Sequence, residues 1–501
     1  ANLPVNLIDR VEIYKGVVPA SLGTDALGGA VNIITKAEKK NFFDASYGIG
    51  SFHTHRADLN AQIVERRTGL TVRPTLGINY SKNDYRMKDV QMRNETGDRF
   101  IEGSPKRFHD GYFSFLAQLE AGFIGKAWAD ELFVSASYSK TDKELQTGSV
   151  QTKVYGMAER NSDAWSVSAR YSKHDFLTDR LTLKATLSHT WDHSVTVDTA
   201  YRKYYWDGGY IISQRNEIRG SAPSMRHFKR PLTLVRANLD YPLGEHHSFN
   251  LNYNLNRTGN DRFDDLDRSF TPSNDAVTKH IVGLTYSQSF FEGKMQNVFF
   301  AKDYVNHPNI RQTDQSSVTG SDKVQGSTTK NYVGYGAGVR YMFLDPLALK
   351  VSFEHSVRLP VARELLGNGT TIYANVALEP EKSNNLNLSV FGTWHPATGH
   401  TLHYETNGFL RYVDNYIQTS VIEKEGMLQY VNDPAVHIKG VEGEIRYDWD
   451  GRLQFMANVS YQDARDQQKY KEDGKPSATY DNHVPNRPWL FGSAEASYTF
   501  R

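Results

Sequence analysis

The sequence predicts an all-β protein, a transmembrane antiparallel β-barrel, and three observations lead to this fold class. Much of the chain of 501 residues falls into segments of about ten residues in which apolar and polar side chains alternate. The connections between these segments are alternately short and long, as in barrels whose turns and loops lie on opposite sides of a membrane. Aromatic residues form 12% of a chain that is only 39% hydrophobic, which suits strands with one polar, lumen-facing side and aromatic girdles.

Overall composition excludes several other classes of protein. The 58 Lys and Arg residues nearly balance the 57 Asp and Glu residues, so no bulk attraction to nucleic acid is expected. The absence of cysteine excludes disulfides, thiolate metal sites and cysteine catalysis. No apolar run approaches the length of about eighteen residues that a helical membrane span requires. On composition alone, a soluble all-β protein stays open.

The N-terminal stretch 9–36 predicts two short strands around a compact turn. The runs at 11–14 and 31–34 alternate in the manner of strands. Arg10 and Glu12 would share one face of the first strand, and the glycines between the strands suit close backbone approach. The first residues, ANLPVNL, lack the basic region and apolar core of a signal peptide.

This stretch resembles the end of the plug domain of TonB-dependent outer-membrane receptors. The resemblance lies in R-V-E-I-x-K-G, a small-residue turn with L-G-G, and V-N-I-I-T-K, with motif residues Arg10, Glu12, Gly16, Gly28, Gly29 and Asn32. It implies that residues 1–38 are the C-terminal remnant of a plug domain and that residues 39–501 form the transmembrane β-barrel. It also implies that most of the plug precedes Asp9.

The alternating segments give about eighteen strands, the first near Phe42 and the last ending near Phe500. The resembling family has barrels of the 22-stranded type, so we expect four strands to be missing at the C-terminus and the sequence to be truncated at both ends. The predicted short turns are 65–69, 122–130, 174–179, 242–246, 291–294, 344–346, 395–399 and 448–451. The predicted long loops are 82–110, 140–163, 190–230, 256–277, 304–330, 356–381, 415–435 and 463–487.

Three glycines, Gly334, Gly336 and Gly338, alternate within one predicted strand. No helix or Gly-Lys-Ser/Thr follows them, so a phosphate-binding loop is excluded. Glycines on a single strand face instead predict that another backbone or an aromatic ring approaches the wall there.

Three further stretches resemble the family. Residues 357–360 (VRLP) and 374–383 (ANVALEPEKS) resemble the FRAP and NPNLKPEKS boxes that bracket one extracellular loop, with Leu359 where alanine is usual. Residues 438–447 resemble the late strand whose inward carboxylate meets the plug. The resemblance implies that Arg10 pairs with wall carboxylates at Glu442 and Glu444, whereas a second family glutamate is replaced by Asn387.

Loop 190–230 carries aromatic and cationic side chains that suit capture of an anionic, ring-bearing ligand. An aromatic interface girdle continuing into the loop is the alternative. The predicted ligand-binding residues are Arg202, Lys203, Tyr204, Tyr205, Trp206 and, in the first box, Arg358. Four carboxylates in another loop, Asp261, Asp264, Asp265 and Asp267, predict either a calcium site or a solvated acidic loop. No other metal site is expected, and no cofactor besides Ca²⁺.

The resemblance implies a non-enzymatic protein of the Gram-negative outer membrane that imports a scarce nutrient. Its expected partners are a TonB-ExbB-ExbD-type inner-membrane complex, a small nutrient ligand, outer-membrane lipid and a surface lipoprotein, but no nucleic acid. A ferric siderophore is the first expectation for the cargo, with cobalamin, haem or an oligosaccharide as alternatives. Haem is disfavoured because residues 361–373 contain no histidine. A passive porin and an outer-membrane enzyme are the alternatives from other classes.

Overall fold

The computed structural model describes residues 8–15, 22, 25, 27, 29–35, 40–218, 220, 222–314, 323–368, 371–422, 427–470 and 473–500. These residues are organised almost entirely as β-strands. In chain order the strands are β1 (Ile8–Lys15), β2 (Gly29–Thr35), β3 (Phe42–Gly50), β4 (Thr54–Val64), β5 (Leu70–Ser81), β6 (Val90–Arg93), β7 (Phe100–Gly103), β8 (Tyr112–Lys126), β9 (Ala129–Glu144), β10 (Glu159–Lys173), β11 (Thr182–Asp198), β12 (Arg202–Tyr204), β13 (Tyr210–Ile212), β14 (Ser224–Lys229), β15 (Leu232–Leu243), β16 (His247–Asp264), β17 (Ser273–Phe290), β18 (Met295–Asp314), β19 (Lys323–Ser327), β20 (Lys330–Leu344), β21 (Leu347–Arg358), β22 (Ile372–Tyr373), β23 (Glu381–Ala397), β24 (His400–Ile422), β25 (Met427–Trp449), β26 (Leu453–Asp466) and β27 (Leu490–Tyr498), and one helix, α1 (Ala362–Leu366), lies between β21 and β22.

Most strands form one antiparallel sheet that curves into a barrel. Along the wall, each long strand pairs with the next long strand of the chain, from β3 with β4 to β26 with β27. β14 and β15 both lie between β11 and β16, and β19 and β20 both pair with β18. When each of these two pairs is counted as one position and the two-residue strand β22, which pairs in parallel with β25, is left out, the described residues give eighteen wall positions. This agrees with the strand number and end points predicted from the alternation.

The two faces of the wall differ as the alternation predicts. On β16, Leu251 is exposed, whereas its neighbour Asn252 is buried. In register with Leu251 on β17, Leu284 is exposed as well. A strand whose apolar side faces outward and whose polar side faces the lumen is what a membrane barrel requires.

Glycines in β20 make room for aromatic rings, as predicted. A Cβ atom on Gly336 would lie 2.4 Å from Cζ of Phe300, and one on Gly334 would lie 2.9 Å from Cε2 of Tyr304. Such short approaches exclude a side chain at these two positions. The glycines therefore let rings from β18 lie flat against the neighbouring strand.

Each predicted short turn is found between two strands, but 122–126 and 129–130 of one of them belong to β8 and β9. Several predicted loops are also too long. Residues 256–264 and 273–277 belong to β16 and β17, and most of 415–435 belongs to β24 and β25. These strands continue beyond the apolar zone, where both faces are polar and alternation no longer marks a strand. The remaining loops contain two small hairpins, β6–β7 and β12–β13.

The N-terminal strands form a separate two-stranded sheet. β1 and β2 are antiparallel, with Val11 opposite Ile33 and Glu12 opposite Asn32. Both strands were predicted from the sequence. Of the predicted motif residues, Gly16 and Gly28 lie outside the described residues. Within the described ranges, no helix is long or apolar enough to cross a membrane.

Candidate functional site

The predicted ligand-binding residues of loop 190–230 lie on the β12–β13 hairpin, but two of them are buried. Tyr204 is 8% exposed and Trp206 is 3% exposed. Both rings pack in a loop core with side chains of loops 82–110 and 140–163, namely Met87, Val90 and Val154. The indole nitrogen of Trp206 donates to the carbonyl oxygen of Gln151 at 3.0 Å. These two rings join three loops together, which sequence could not show because the partners are distant in the chain.

The other members of the set lie nearer the surface. Arg202 stacks on the Tyr210 ring at 4.1 Å, and the Lys203 ammonium lies 5.6 Å from the Tyr205 ring centre. Lys203 is exposed, and Arg202 and Tyr205 are half-buried. Cations beside aromatic rings remain available here, so ligand capture by Arg202, Lys203 and Tyr205 stays a prediction.

An ion pair fixes this hairpin to the neighbouring loop. Arg93 Nε donates to Asp207 Oδ2 at 2.9 Å, Arg93 Nη2 donates to Asp207 Oδ1 at 3.1 Å, and the guanidinium lies 4.3 Å from the Tyr205 ring centre. Burial works to raise the pKa of Asp207, but the hydrogen bonds from Arg93 and from the Gly209 backbone outweigh it and lower this pKa. The carboxylate is therefore ionised at any physiological pH, and the pair persists.

The structure does not assemble the predicted calcium ligands into a cation site. The Asp264 carboxylate accepts hydrogen bonds from Ser224 Oγ at 2.6 Å and from Arg226 Nε at 3.2 Å. Arg226 also pairs with Asp267, and His227 pairs with Asp265. Across the described ranges, no group of three or more His, Asp or Glu side chains could hold a metal ion. Calcium binding by these four carboxylates stays a prediction.

Arg358 joins the two sequence boxes, and its predicted contact with ligand stays a prediction. Its guanidinium donates to Glu364 in α1 and lies 3.6 Å from Glu381, the first residue of β23. Glu364 Oε2 accepts from the Val361 backbone nitrogen at 2.9 Å, and Glu381 Oε1 accepts from the Ile417 nitrogen at 2.7 Å. The arginine therefore positions the loop that begins at Val361.

The predicted contact between the N-terminal segment and the wall involves Arg10, Glu442 and Glu444. Arg10 Nη2 lies 3.0 Å from Glu12, whose carboxylate also accepts from Asn32 at 3.0 Å. On β25, Glu444 pairs with Arg446 at 2.5 Å. The shared faces are as predicted, and the contact of Arg10 with Glu442 and Glu444 stays a prediction.

Sequence reasoning missed a contact between Asp25 and the wall. Asp25 Oδ2 lies 3.1 Å from Lys279 Nζ on β17 and 3.3 Å from the backbone nitrogen of Leu359. A lysine on the polar side of a predicted strand was the one available signal. Its partner could not be found, because the two residues are 254 positions apart.

Sequence reasoning also missed two arginines that bind the backbone just after α1. Arg160 Nη1 donates to the Asn368 carbonyl oxygen at 2.7 Å, and Arg230 Nη2 donates to the Gly367 carbonyl oxygen at 3.0 Å. Together with Arg358, they fix residues 361–368 above the lumen.

Comparison with known proteins decides the family. The family model described as "TonB dependent receptor-like, beta-barrel" matches residues 152–501, more than half of the chain. The chain belongs to the TonB-dependent receptor family. It is accordingly a β-barrel of the Gram-negative outer membrane, in a family of transporters and receptors for small ligands rather than of enzymes.

Curated relatives of this TonB-dependent receptor include vitamin B12 transporters. The chain is 22% identical over 465 residues to the vitamin B12 transporter BtuB of Vibrio cholerae serotype O1, covering 93% of this chain and 63% of that protein. It is 25% identical over 187 residues to BtuB of Vibrio vulnificus, covering 33% and 30% of the two chains. The chain thus spans less than two thirds of the length of these relatives.

Solved structures of low sequence identity share the fold. The copper transporter OprC superposes with a TM-score of 0.71 at 14% identity, covering 98% of this chain and 70% of that one. The siderophore receptor PiuA from Acinetobacter baumannii gives 0.68 at 15% identity, covering 98% and 74%. These two proteins are named for different ligands, copper and a siderophore, so their similarity shows the barrel fold and does not identify the ligand of this chain.

Proposed function

We propose that this receptor actively imports a scarce nutrient, a ferric siderophore in the first instance, with energy supplied through a TonB-ExbB-ExbD-type inner-membrane complex. The observation that carries the proposal is that the N-terminal segment lies against the lumenal side of the wall. Tyr14 of β1 lines a cavity of about 440 Å³ together with wall residues from β15 to β21, and Asp25 pairs with Lys279. A passive porin has no need of a segment held in its lumen.

The chemistry of the β12–β13 hairpin surface favours the proposal of an anionic ligand. Arg202, Lys203 and Tyr205 combine positive charge with an aromatic ring, which suits a negatively charged chelate that carries rings. A siderophore receptor also stands among the structural neighbours.

Cobalamin is the second candidate, favoured by the curated BtuB relatives. Three of the four acidic residues that would suit a calcium-ordered surface for cobalamin pair with Arg226 or His227, namely Asp264, Asp265 and Asp267. A surface lipoprotein partner stays a further proposal.

Equilibrium binding to the complete receptor tests the choice of cargo. The probes are a ferric catecholate chelate, a ferric hydroxamate chelate, cobalamin and haemin. We expect a chelate to bind with micromolar or tighter affinity, and its energy-dependent uptake to be lost in cells without TonB. Tight binding of cobalamin or haemin, with no response to either chelate, would overturn the siderophore assignment.

A further inference from the structure

One carboxylate of the N-terminal segment holds the barrel wall at the first sequence box. Asp25 Oδ2 accepts hydrogen bonds from Lys279 Nζ at 3.1 Å and from the Leu359 nitrogen at 3.3 Å. Lys279 Nζ also donates to the Leu359 carbonyl oxygen at 2.8 Å. The ion pair therefore engages both backbone polar groups of a single residue.

The surroundings make this contact sensitive to the loss of either partner. The Lys279 side chain is 10% exposed, and an ammonium group so far from water needs a charged or polar partner. Leu359 is fully buried and packs with Ile281, Tyr304 and Val357. The leucine that replaces the usual alanine of the box thus anchors this point of the chain in an apolar cluster.

The contact lies immediately before the loop of residues 361–368. Arg358, adjacent to Leu359, is attracted electrostatically by the Asp25 carboxylate and also binds Glu364 in α1. Glu364 in turn accepts from the Val361 nitrogen. A short series of contacts thus runs from Asp25 to the Leu359 backbone and, through the adjacent Arg358, to Glu364 in the helix.

We propose that Asp25 docks the N-terminal segment onto Lys279 and Leu359 and thereby orders the loop of residues 361–368. Withdrawal of Asp25 takes the carboxylate away from Lys279, whose hydrogen bond to the Leu359 carbonyl oxygen remains. It also removes one of the carboxylates that attract Arg358, so the start of the loop loosens. The role of this docking in import rests on the proposed function. There, a pull on the N-terminal segment would carry Asp25 away from the wall. The coupling is reciprocal, so a ligand that fixes the loop would also strengthen the docking.

A partly buried thiol in the loop can report this ordering. Ala362 begins α1 and packs, partly buried, against the cluster that contains Leu365, Leu366 and Leu378. Ala362→Cys changes the side chain little, and the sequence contains no cysteine of its own. The complete receptor carrying this substitution is displayed in intact cells and treated with a membrane-impermeant maleimide, whose labelling rate measures loop opening.

We expect Asp25→Asn and Lys279→Met each to raise the labelling rate several-fold. The combined variant should be labelled no faster than either single variant, because both changes remove the same contact. The matched control is Lys330→Met, which removes the Lys330–Glu379 ion pair at the same distance of 3.1 Å, where both side chains are 53% exposed. This control should be labelled at the rate of the unchanged receptor.

If Asp25→Asn is labelled at the rate of the unchanged receptor, the proposal is overturned, whatever Lys279→Met shows. The reason is that a neutral amide in place of the carboxylate cannot complete the ion pair. Asp25 lies outside the wall strands, so this variant remains informative if Lys279→Met fails to assemble. The test needs no ligand, no uptake and no TonB. A receptor that binds none of the four probes would therefore refute the proposed function and leave the docking test intact.

Discussion

At the scale of single residues, buried charges show how the lumen side of the wall is held. Lys302 on β18 and Glu354 on β21 form an ion pair at 3.2 Å with side-chain exposures of 2% and 1%. A pair this deeply buried is unlike the exposed pairs of the loops, because neither partner can turn to water if the other is removed.

Replacement of Lys302 by methionine should destabilise the barrel by about 3–5 kcal/mol, since it leaves Glu354 charged and unpaired. Replacing both residues, with Lys302→Met and Glu354→Leu, should recover most of that loss. The free energy of unfolding of both variants is measured in denaturant, with the fraction of folded barrel read from its mobility in gels. Equal stability of Lys302→Met and the unchanged receptor would show that the pair contributes nothing.

Replacement of Arg10 tests the predicted contact between the N-terminal segment and β25. Arg10→Ala in the complete receptor should leave ligand binding largely intact and reduce uptake, because a charge inside a partly shielded lumen is removed from Glu442 and Glu444. Arg10→Lys, which keeps the charge, should retain much more uptake. Unchanged uptake of Arg10→Ala at limiting ligand would refute the contact.

At the scale of elements, the β12–β13 hairpin is held by side chains rather than by the wall. Its backbone forms a sheet of its own, and Tyr204, Trp206 and the Arg93–Asp207 pair tie it to other loops. The position of the predicted ligand-binding cations therefore depends on contacts between loops that are far apart in sequence.

Asp207→Asn should loosen this hairpin without unfolding the barrel. The paired side chains are each 20% exposed, and loss of such a two-point pair costs about 1 kcal/mol, or about fivefold in local opening. Amide hydrogen exchange of residues 202–212 measures the change. Lys203→Gln, on the same hairpin, is the control and should exchange at the unchanged rate; equal exchange in both variants would contradict the prediction.

The same pair predicts a defined pH dependence. Because the folded-state pKa of Asp207 is lowered, its contribution is complete above the unfolded pKa of about 3.9 and is lost as pH falls through the lower folded value. Exchange of residues 202–212, corrected for intrinsic rates, should therefore be the same at pH 7 and pH 5. Loosening between these two values would mean that another group controls the hairpin.

At the scale of the whole molecule, the wall separates a lipid side from a lumen side, residue by residue. Leu284 on β17 is exposed on the outer face, and Asn250, in register with Thr285, lines the lumenal cavity. This contrast follows from strand geometry, in which neighbouring side chains point to opposite faces.

Leu284→Arg should impair assembly in the outer membrane, because an arginine on the lipid face costs about 2–4 kcal/mol near the middle of the bilayer. Asn250→Arg places the same charge in the lumenal cavity and should be tolerated. The amount of folded barrel in outer-membrane fractions measures both. Equal assembly of the two variants would show that the face assignment is wrong.

The sequence by itself determined the barrel, its strand number and the alternation of apolar and polar faces along its strands. These properties are local, because a period of two residues and the spacing of turns are visible in a single chain. The resemblance around Arg10 and the two boxes also indicated the family, which the comparison over residues 152–501 confirmed. The close approach at Gly336 was likewise visible as a strand with glycine at alternate positions.

Only the tertiary structure decided which distant segments the loop side chains contact. Trp206 and Arg358 have the chemistry of ligand-binding residues, but one is buried by distant loops and the other is held by Glu364 and Glu381. The contact of Asp25 with Lys279 is equally invisible in the sequence. A charged or aromatic side chain shows what it could bind, whereas its actual partner depends on which distant segments the closed wall brings within a few ångströms.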